Sequence, residues 1–257
     1  GAMHALTSAA LFGRFTSYSM LLPDPLRLKY RGHLCRNDQK VRMAHFAPTS
    51  DTHKFDVPTI MLVGTSMSAG KTTTGRRVCK EFDRAGLFVI GSKLTGAGRY
   101  RDILSYLKTG ATRIFDFVDA GLPSSIVPEA EYRAAIRPLL GHIEDLQPDL
   151  LVVEAGASPL EPYNGAALVD ELGDNVVCTI LCASDPYAVV GVERAFGLRP
   201  DLVTGPATQT SAAVELVYKL SGLRCINIID AEQNAAFRSF LADKLGLLHN
   251  EQSLTSS

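Results

Sequence analysis

The sequence predicts an α/β fold: a mostly parallel sheet with helices on both faces, preceded by a small β-rich N-terminal appendage. Three observations carry this. From Val57 onward, short continuous apolar runs alternate with amphipathic stretches, the pattern of strands buried on both faces and of the helices that cover them. A glycine-rich turn joins the first of these runs to the first helix. Residues 3–56 differ: they hold Pro23, Pro25 and Pro48 and four of the six histidines. A chain of 257 residues has room for one large domain with such an appendage.

In chain order, Gly1-Ala2 before Met3 reads as a scar of protease cleavage. The small apolar stretch through Phe15 lacks the basic start and long apolar core of a signal peptide. Residues 26–34 and 40–46 are strand-like, and Asn37-Asp38 between them predicts a hairpin. His4, His33, His45 and His53 are too scattered for a metal site. Residues 49–56 form a polar connector to the main domain, 57–249.

The first apolar run, 59–63, predicts a strand, and 72–85 a helix with Val78 and Phe82 on its inner face and Gly86 closing it. Residues 87–92 predict the second strand, 102–108 a helix ended by Gly110, and 113–118 the third strand. Residues 129–145 are a clear helix, and 149–153 and 176–182 are buried strands. A helix is predicted at 211–220, between strands at 201–204 and 225–229. The polar residues 250–257 read as a frayed tail.

Composition excludes several function classes. Twenty-six basic against 27 acidic residues give no bulk charge for nucleic-acid binding. No apolar run reaches the roughly 18 residues that span a bilayer. The five cysteines are odd in number and contain no Cys-x-x-Cys pair, which argues against a disulfide framework and a structural zinc site. Reduced thiols in a cytoplasmic protein are the expectation.

The chemistry-bearing motif is Gly64-Thr65-Ser66-Met67-Ser68-Ala69-Gly70-Lys71-Thr72-Thr73. It follows a strand and opens a helix, the context of a phosphate-binding P-loop. Glycines and small residues let backbone N–H groups turn inward around phosphate oxygens, and the helix N-terminus adds its positive end. Lys71 can reach the β- and γ-phosphates, and the Thr72 hydroxyl can ligate Mg²⁺. Five residues, rather than the usual four, separate Gly64 from Gly70.

Other candidates sit at strand ends, where an open parallel sheet binds ligands. Glu154 ends a buried strand, and a carboxylate there is costly unless it meets a cation, so it is read as a Mg²⁺ ligand or water-orienting group. Asp116, inside an apolar run, is read as a substrate or Mg²⁺ ligand, or with Asp119 as a loop cap. Asp102 opens a helix, which makes capping its plain role. Arg99 and Arg101 could meet an acidic substrate. Ser184-Asp185-Pro186-Tyr187 and Thr204-Gly205-Pro206 follow strands on the same edge. The guanine signature Asn-Lys-x-Asp is absent, which favours ATP over GTP.

The five-residue loop resembles that of dethiobiotin synthetase and its relatives, within the P-loop NTPases. Gly91-Ser92-Lys93-Leu94-Thr95-Gly96 resembles that family's Gly-x-Lys-Pro-x-x-x-Gly segment, and Leu151–Ala157 its Val-Glu-Gly-Ala-Gly-Gly segment, in the family's order. The resemblance implies that Lys93 faces substrate and phosphate, that Glu154 binds Mg²⁺ with Asp102 as a second metal ligand, and that Thr204, Gly205 and Pro206 hold adenine. No proline follows Lys93, Ala155 stands where the family has glycine, and residues 95–102 are shorter, so the biotin-precursor pocket does not carry over. The loop also resembles the P-loop family labelled domain of unknown function 1611, in which D-glutamate N-acetylation is one assigned activity.

The function these readings imply is an ATP- and Mg²⁺-dependent enzyme of ligase or kinase type, transferring a phosphoryl group to a small acidic metabolite. Lys71, Lys93 and Glu154 would be catalytic. Residues 64–66 and 68–73 would hold the phosphates, and Thr72, Glu154, Asp102 and Asp116 the metal. The expected partners are the metabolite and, as a homodimer, a second copy of the chain. One alternative is an acetyl-CoA-dependent N-acetyltransferase. Another is a nucleotide-switch ATPase acting on a protein partner, although Ser66 stands where such switches carry an extra lysine.

Overall fold

The computed structural model of the chain describes residues 3–6, 11–51, 54–156 and 162–246. Six strands build the sheet: β1 (Thr59–Gly64), β2 (Val89–Thr95), β3 (Arg113–Asp116), β4 (Leu150–Ala155), β5 (Val176–Cys182) and β6 (Leu202–Thr204). Their order is β6-β5-β1-β4-β2-β3, and every pair is parallel. This is the α/β, P-loop-type architecture that the alternating pattern predicts. Neither neighbour of β1 is the next strand in sequence, so β1 ends at a point where the chain's connections diverge to the two sides. Such a point leaves a crevice at the carboxyl ends of the strands, and the glycine-rich loop follows β1 directly.

Continuous apolar strands demand cover on both faces, because side chains alternate. Ile60, Leu62, Leu150, Val152 and Ile180 pack with Val78, Cys79 and Phe82 of α1 (Lys71–Arg84), Tyr106 of α2 (Tyr100–Leu107) and Phe237, Phe240 and Leu241 of α7 (Asn234–Lys244). The opposite face carries Met61, Val63, Leu151, Val153 and Leu181. These pack with α3 (Glu129–Asp145), α4 (Gly165–Leu172), α5 (Pro186–Phe196) and α6 (Ser211–Ser221), through residues such as Ile136, Leu168, Val189 and Val217. The expected C-terminal stops hold: Gly86 has φ 78° and Gly110 φ 114°, the left-handed region that ends a helix.

The structure corrects several boundaries. β2 and β4 run to Thr95 and Ala155, past the predicted ends at 92 and 153, because Lys93 pairs with Glu154 in register and the two side chains satisfy each other. β3 stops at Asp116, where the chain turns, and residues 225–229 supply only one bridge, Val203 to Cys225. Helices α4, α5 and α7 have no counterpart in the sequence reading. For α5 the signal was present: Asp185 accepts hydrogen bonds from the Tyr187 and Ala188 amides, and Pro186 occupies the first turn.

The appendage is organised differently. Met3–Ala5 pairs antiparallel with Phe12–Gly13 and Arg27–Leu28. The hairpin does turn at Asn37-Asp38, with φ 51° and 60°, but its strands are only Cys35–Arg36 and Gln39–Lys40, and Met43–Phe46 is a 3-10 turn. No described residue before Val57 is buried, so this region has no core of its own. Ser50 and the Asp56 amide bond to Asp145 and Glu144 at the end of α3.

His53 and the tail 250–257 lie outside the described residues. All five cysteines are free thiols, and burial pushes Cys79, Cys178 and Cys182 up to about 12, so they behave as packing residues. Among the described residues, no helix is long and apolar enough to cross a membrane.

Candidate active site

The phosphate loop leaves β1 at Gly64 and enters α1 through Gly70, whose φ of 103° is a conformation that side chains disfavour. Thr65 anchors the first half: its amide donates to the Cys182 carbonyl at 3.0 Å, and its hydroxyl accepts from the Ser184 amide at 3.0 Å. Lys71 then folds back over the loop and donates to the Ser66 carbonyl at 2.8 Å. It passes so close to Gly64 that a Cβ there would collide with its ammonium. Lys71 is 3% exposed. The side chain is thus packed against its own loop rather than extended into solvent.

The turn Thr204-Gly205-Pro206 packs against the same loop. Gly205, with φ 94°, has no room for a Cβ because the Ala69 carbonyl lies there. The Thr204 hydroxyl is buried without a hydrogen-bond partner. Ser68, Gly70, Thr73, Gly205, Pro206 and Asn227 border a cavity of about 190 Å³ on this side.

The other side of the loop meets a set of charges. Lys93, Glu154 and Asp116 are paired in register across β2, β4 and β3, so all three project from the sheet face that packs on α1 and α2. Glu154, 3% exposed, accepts the Thr72 hydroxyl at 2.9 Å and the Tyr106 hydroxyl at 2.7 Å on the same oxygen, Oε2. Its other oxygen faces the Lys93 ammonium at 3.4 Å. Lys93, 6% exposed, also donates to Asp102 at 2.8 Å. Burial pulls this ammonium's pKa down, but attraction to Glu154 and the bond to Asp102 outweigh it, and the net shift is upward. Burial pushes the Tyr106 phenol well above its ordinary value, and the neighbouring Glu154 charge adds to the rise.

Two placements differ from the expectation. Lys93 lies inside β2 rather than after it. Asp102 does not cap α2; Arg99 is at the cap, and Asp102 instead takes up the Lys93 charge from the first turn. Asp116 is turned to local use: it accepts the Val118 amide at 2.8 Å, while Asp119 accepts the Asp116 amide at 2.8 Å. Burial and the Asp119 charge raise Asp116 to about 6. Tyr106 is a site residue that the sequence reading missed. At helical spacing it reads as core, and only the fold brings it to Glu154.

Among the described residues no group of three or more His, Cys, Asp or Glu side chains is gathered as a metal cage. What the site does offer is a hydroxyl and a carboxylate in contact at the first turn of α1, a hard oxygen pair of the kind Mg²⁺ uses beside phosphate oxygens. The donor set fits that ion.

No protein-family model and no curated protein sequence matches the chain. Similar solved structures include FtsY from Mycoplasma mycoides, 15% identical with a TM-score of 0.48, covering 76% of this chain and 70% of that one. A DUF1611 family protein from Anabaena variabilis is 13% identical with a TM-score of 0.46, covering 82% and 66%. A ParA family ATPase from Chlorobium tepidum is 14% identical with a TM-score of 0.40, covering 78% and 93%. These are P-loop NTPases and a DUF1611 protein, the two groups that the loop resembles. At these identities and scores the fold rests on the chain's own sheet order and loop, and nothing about its chemistry follows from the likenesses.

Proposed function

We propose that this chain is an ATP- and Mg²⁺-dependent enzyme that activates a carboxylate of a small acidic metabolite by phosphoryl transfer. One observation carries the reading: buried Glu154 joins the Thr72 hydroxyl of the phosphate loop to the Lys93 ammonium, which links a phosphate site to a second cation. Loop amides and Lys71 would hold the β- and γ-phosphates, with Lys71 shifting from the Ser66 carbonyl to phosphate oxygens. Thr72 and Glu154 would hold Mg²⁺, which when bound neutralises charge between the β- and γ-phosphates. Lys93, steadied by Asp102, would orient the acceptor carboxylate toward the transferred phosphoryl group. The cavity beside Gly205 and Asn227 suits the base. Phosphoryl transfer asks mainly for positioning and charge neutralisation, and these are the resources the site offers.

The test is a thermal-shift comparison of ATP and acetyl-CoA, each with and without Mg²⁺. A ligand at a hundredfold excess over its Kd stabilises the fold by about 2.7 kcal/mol. At this chain length that is about 5–10 °C in Tm. ATP with Mg²⁺ is expected to give the larger shift, because only the triphosphate uses both Lys71 and the Thr72–Glu154 pair. Removing Mg²⁺ should weaken the ATP shift and leave any acetyl-CoA shift unchanged. A larger, Mg²⁺-independent shift with acetyl-CoA would overturn the reading in favour of an acyltransferase.

A further inference from the structure

We infer that Tyr106 is a positioning residue for Glu154: its hydroxyl aims the carboxylate at Thr72 and so sets the metal end of the phosphate site before any ligand arrives. The inference rests on the reading of Thr72 and Glu154 given under Proposed function.

The first observation is how the fold makes room for the ring. A Cβ at Gly75 on α1 would stand 2.5 Å from the Tyr106 ring and hydroxyl, and a Cβ at Gly91 on β2 would stand 2.9 Å from the ring's inner edge. Two separate elements leave out a side chain where this one ring passes. The second observation is what the ring carries. Phenylalanine would fill the space at Gly91 and all but the outermost part of the slot beside Gly75. Yet a fully buried hydroxyl is present, and it donates to Glu154 at 2.7 Å. Without an acceptor it would be a burden on the fold.

The third observation is the spacing on α2. Asp102 and Tyr106 are four residues apart, so they share a helix face. Asp102 holds Lys93, and Tyr106 holds Glu154, the two members of the pair across β2 and β4. A single short helix therefore grips both ends of that pair. The Glu154 oxygen held by Tyr106 is also the one that accepts Thr72. Loss of the phenol hydroxyl frees the carboxylate to rotate away from the loop, while Lys93 continues to hold its other oxygen.

The variant to make is Tyr106→Phe in the full chain, which keeps the ring in its slot and removes only the hydroxyl. The readouts are the Tm shift given by ATP over a Mg²⁺ titration, and Mn²⁺ binding in the presence of ATP followed by electron paramagnetic resonance. The ATP shift without metal should be unchanged. The Mg²⁺ or Mn²⁺ concentration giving half of the metal-dependent increment should rise about tenfold, the scale of a lost outer-sphere partner. In a Glu154→Gln background the same change should add no further metal defect. A half-point equal to wild type, or an equal added defect in the Glu154→Gln background, overturns the role of Tyr106 alone. If the wild-type chain shows an ATP shift with no metal-dependent increment, the reading of Thr72 and Glu154 falls, and this inference with it.

Discussion

Lys71 and Lys93 are two buried ammonium groups on the carboxyl edge of one sheet, and their surroundings differ in kind. Lys71 opens α1 and donates to a main-chain carbonyl of its own loop. Lys93 lies inside β2 with Asp102 at 2.8 Å and Glu154 at 3.4 Å. A carbonyl is a modest, uncharged acceptor, and the Lys71 bond to it can be exchanged for one to a phosphate oxygen. Two carboxylates are different. If Lys93 is taken away, they face each other in a site that water reaches poorly. The phosphate-loop end is thus arranged so that its lysine can change partners, and the β2 end so that its lysine also holds the structure together.

The largest expected effect is on turnover. Lys71→Ala should lower nucleotide turnover by a hundredfold or more, on the order of 3 kcal/mol of transition-state stabilisation. It should lose only about 1 kcal/mol of stability, which is about 2–4 °C in Tm for a chain of this size. Steady-state rates and a melting curve on the same preparation check both halves. Wild-type turnover would end the assignment of Lys71, and a collapse in Tm would end the contrast with Lys93.

Lys93→Met is the converse. It keeps the volume of the stem but strands Asp102 and Glu154, at a cost of about 3 kcal/mol or more and at least about 6 °C in Tm at pH 7.5. Adding Asp102→Asn, which removes one of the two stranded charges, should recover part of the deficit. A loss no greater than that of Lys71→Ala would mean that the carboxylates are satisfied in some other way.

The smallest effect concerns Asp116, on the far side of Lys93 in the same register row. Its folded pKa of about 6 lies above the ordinary carboxylate range, because burial and Asp119 disfavour the charge. A raised acid contributes stability in full at low pH and loses it as pH climbs through about 6, where the fold must accept the charge. Asp116→Asn can still accept from the Val118 amide. It should therefore raise Tm by a few degrees at pH 7.5, about 3 kcal/mol at most, and flatten the stability profile between pH 4 and 6. If the variant is no more stable at pH 7.5, the carboxylate is already stabilised as an anion by Lys93.

What could be read from the chain alone follows local rules. The strand–glycine loop–helix motif at 59–85 is contiguous, and its chemistry sits within ten residues. The apolar runs within 149–153 and 176–182 point to a buried parallel sheet, because such a sheet hides both faces of a strand. Gly86 and Gly110 marked helix ends for the same local reason. Reading failed where the apolar pattern was short or mixed. The α4, α5 and α7 segments carry no long amphipathic period, and the appendage strands are two or three residues long with no core to enforce one.

The sequence by itself determined the layered α/β fold, the phosphate loop, and the presence of a lysine and a glutamate near strand ends. It could not determine which residues those two would meet. Lys93 and Glu154 are 61 positions apart, Tyr106 and Glu154 48, and Thr72 and Glu154 82. Their contacts depend on β2 pairing with β4 in one register, and on α2 lying where Gly75 and Gly91 leave space for a ring. A shift of one residue in that register would turn Glu154 to the other face of the sheet, away from α1 and α2. Strand registry and helix placement are set by the packing of the whole core, so the electrostatics of the site were decided only when the tertiary structure closed around it.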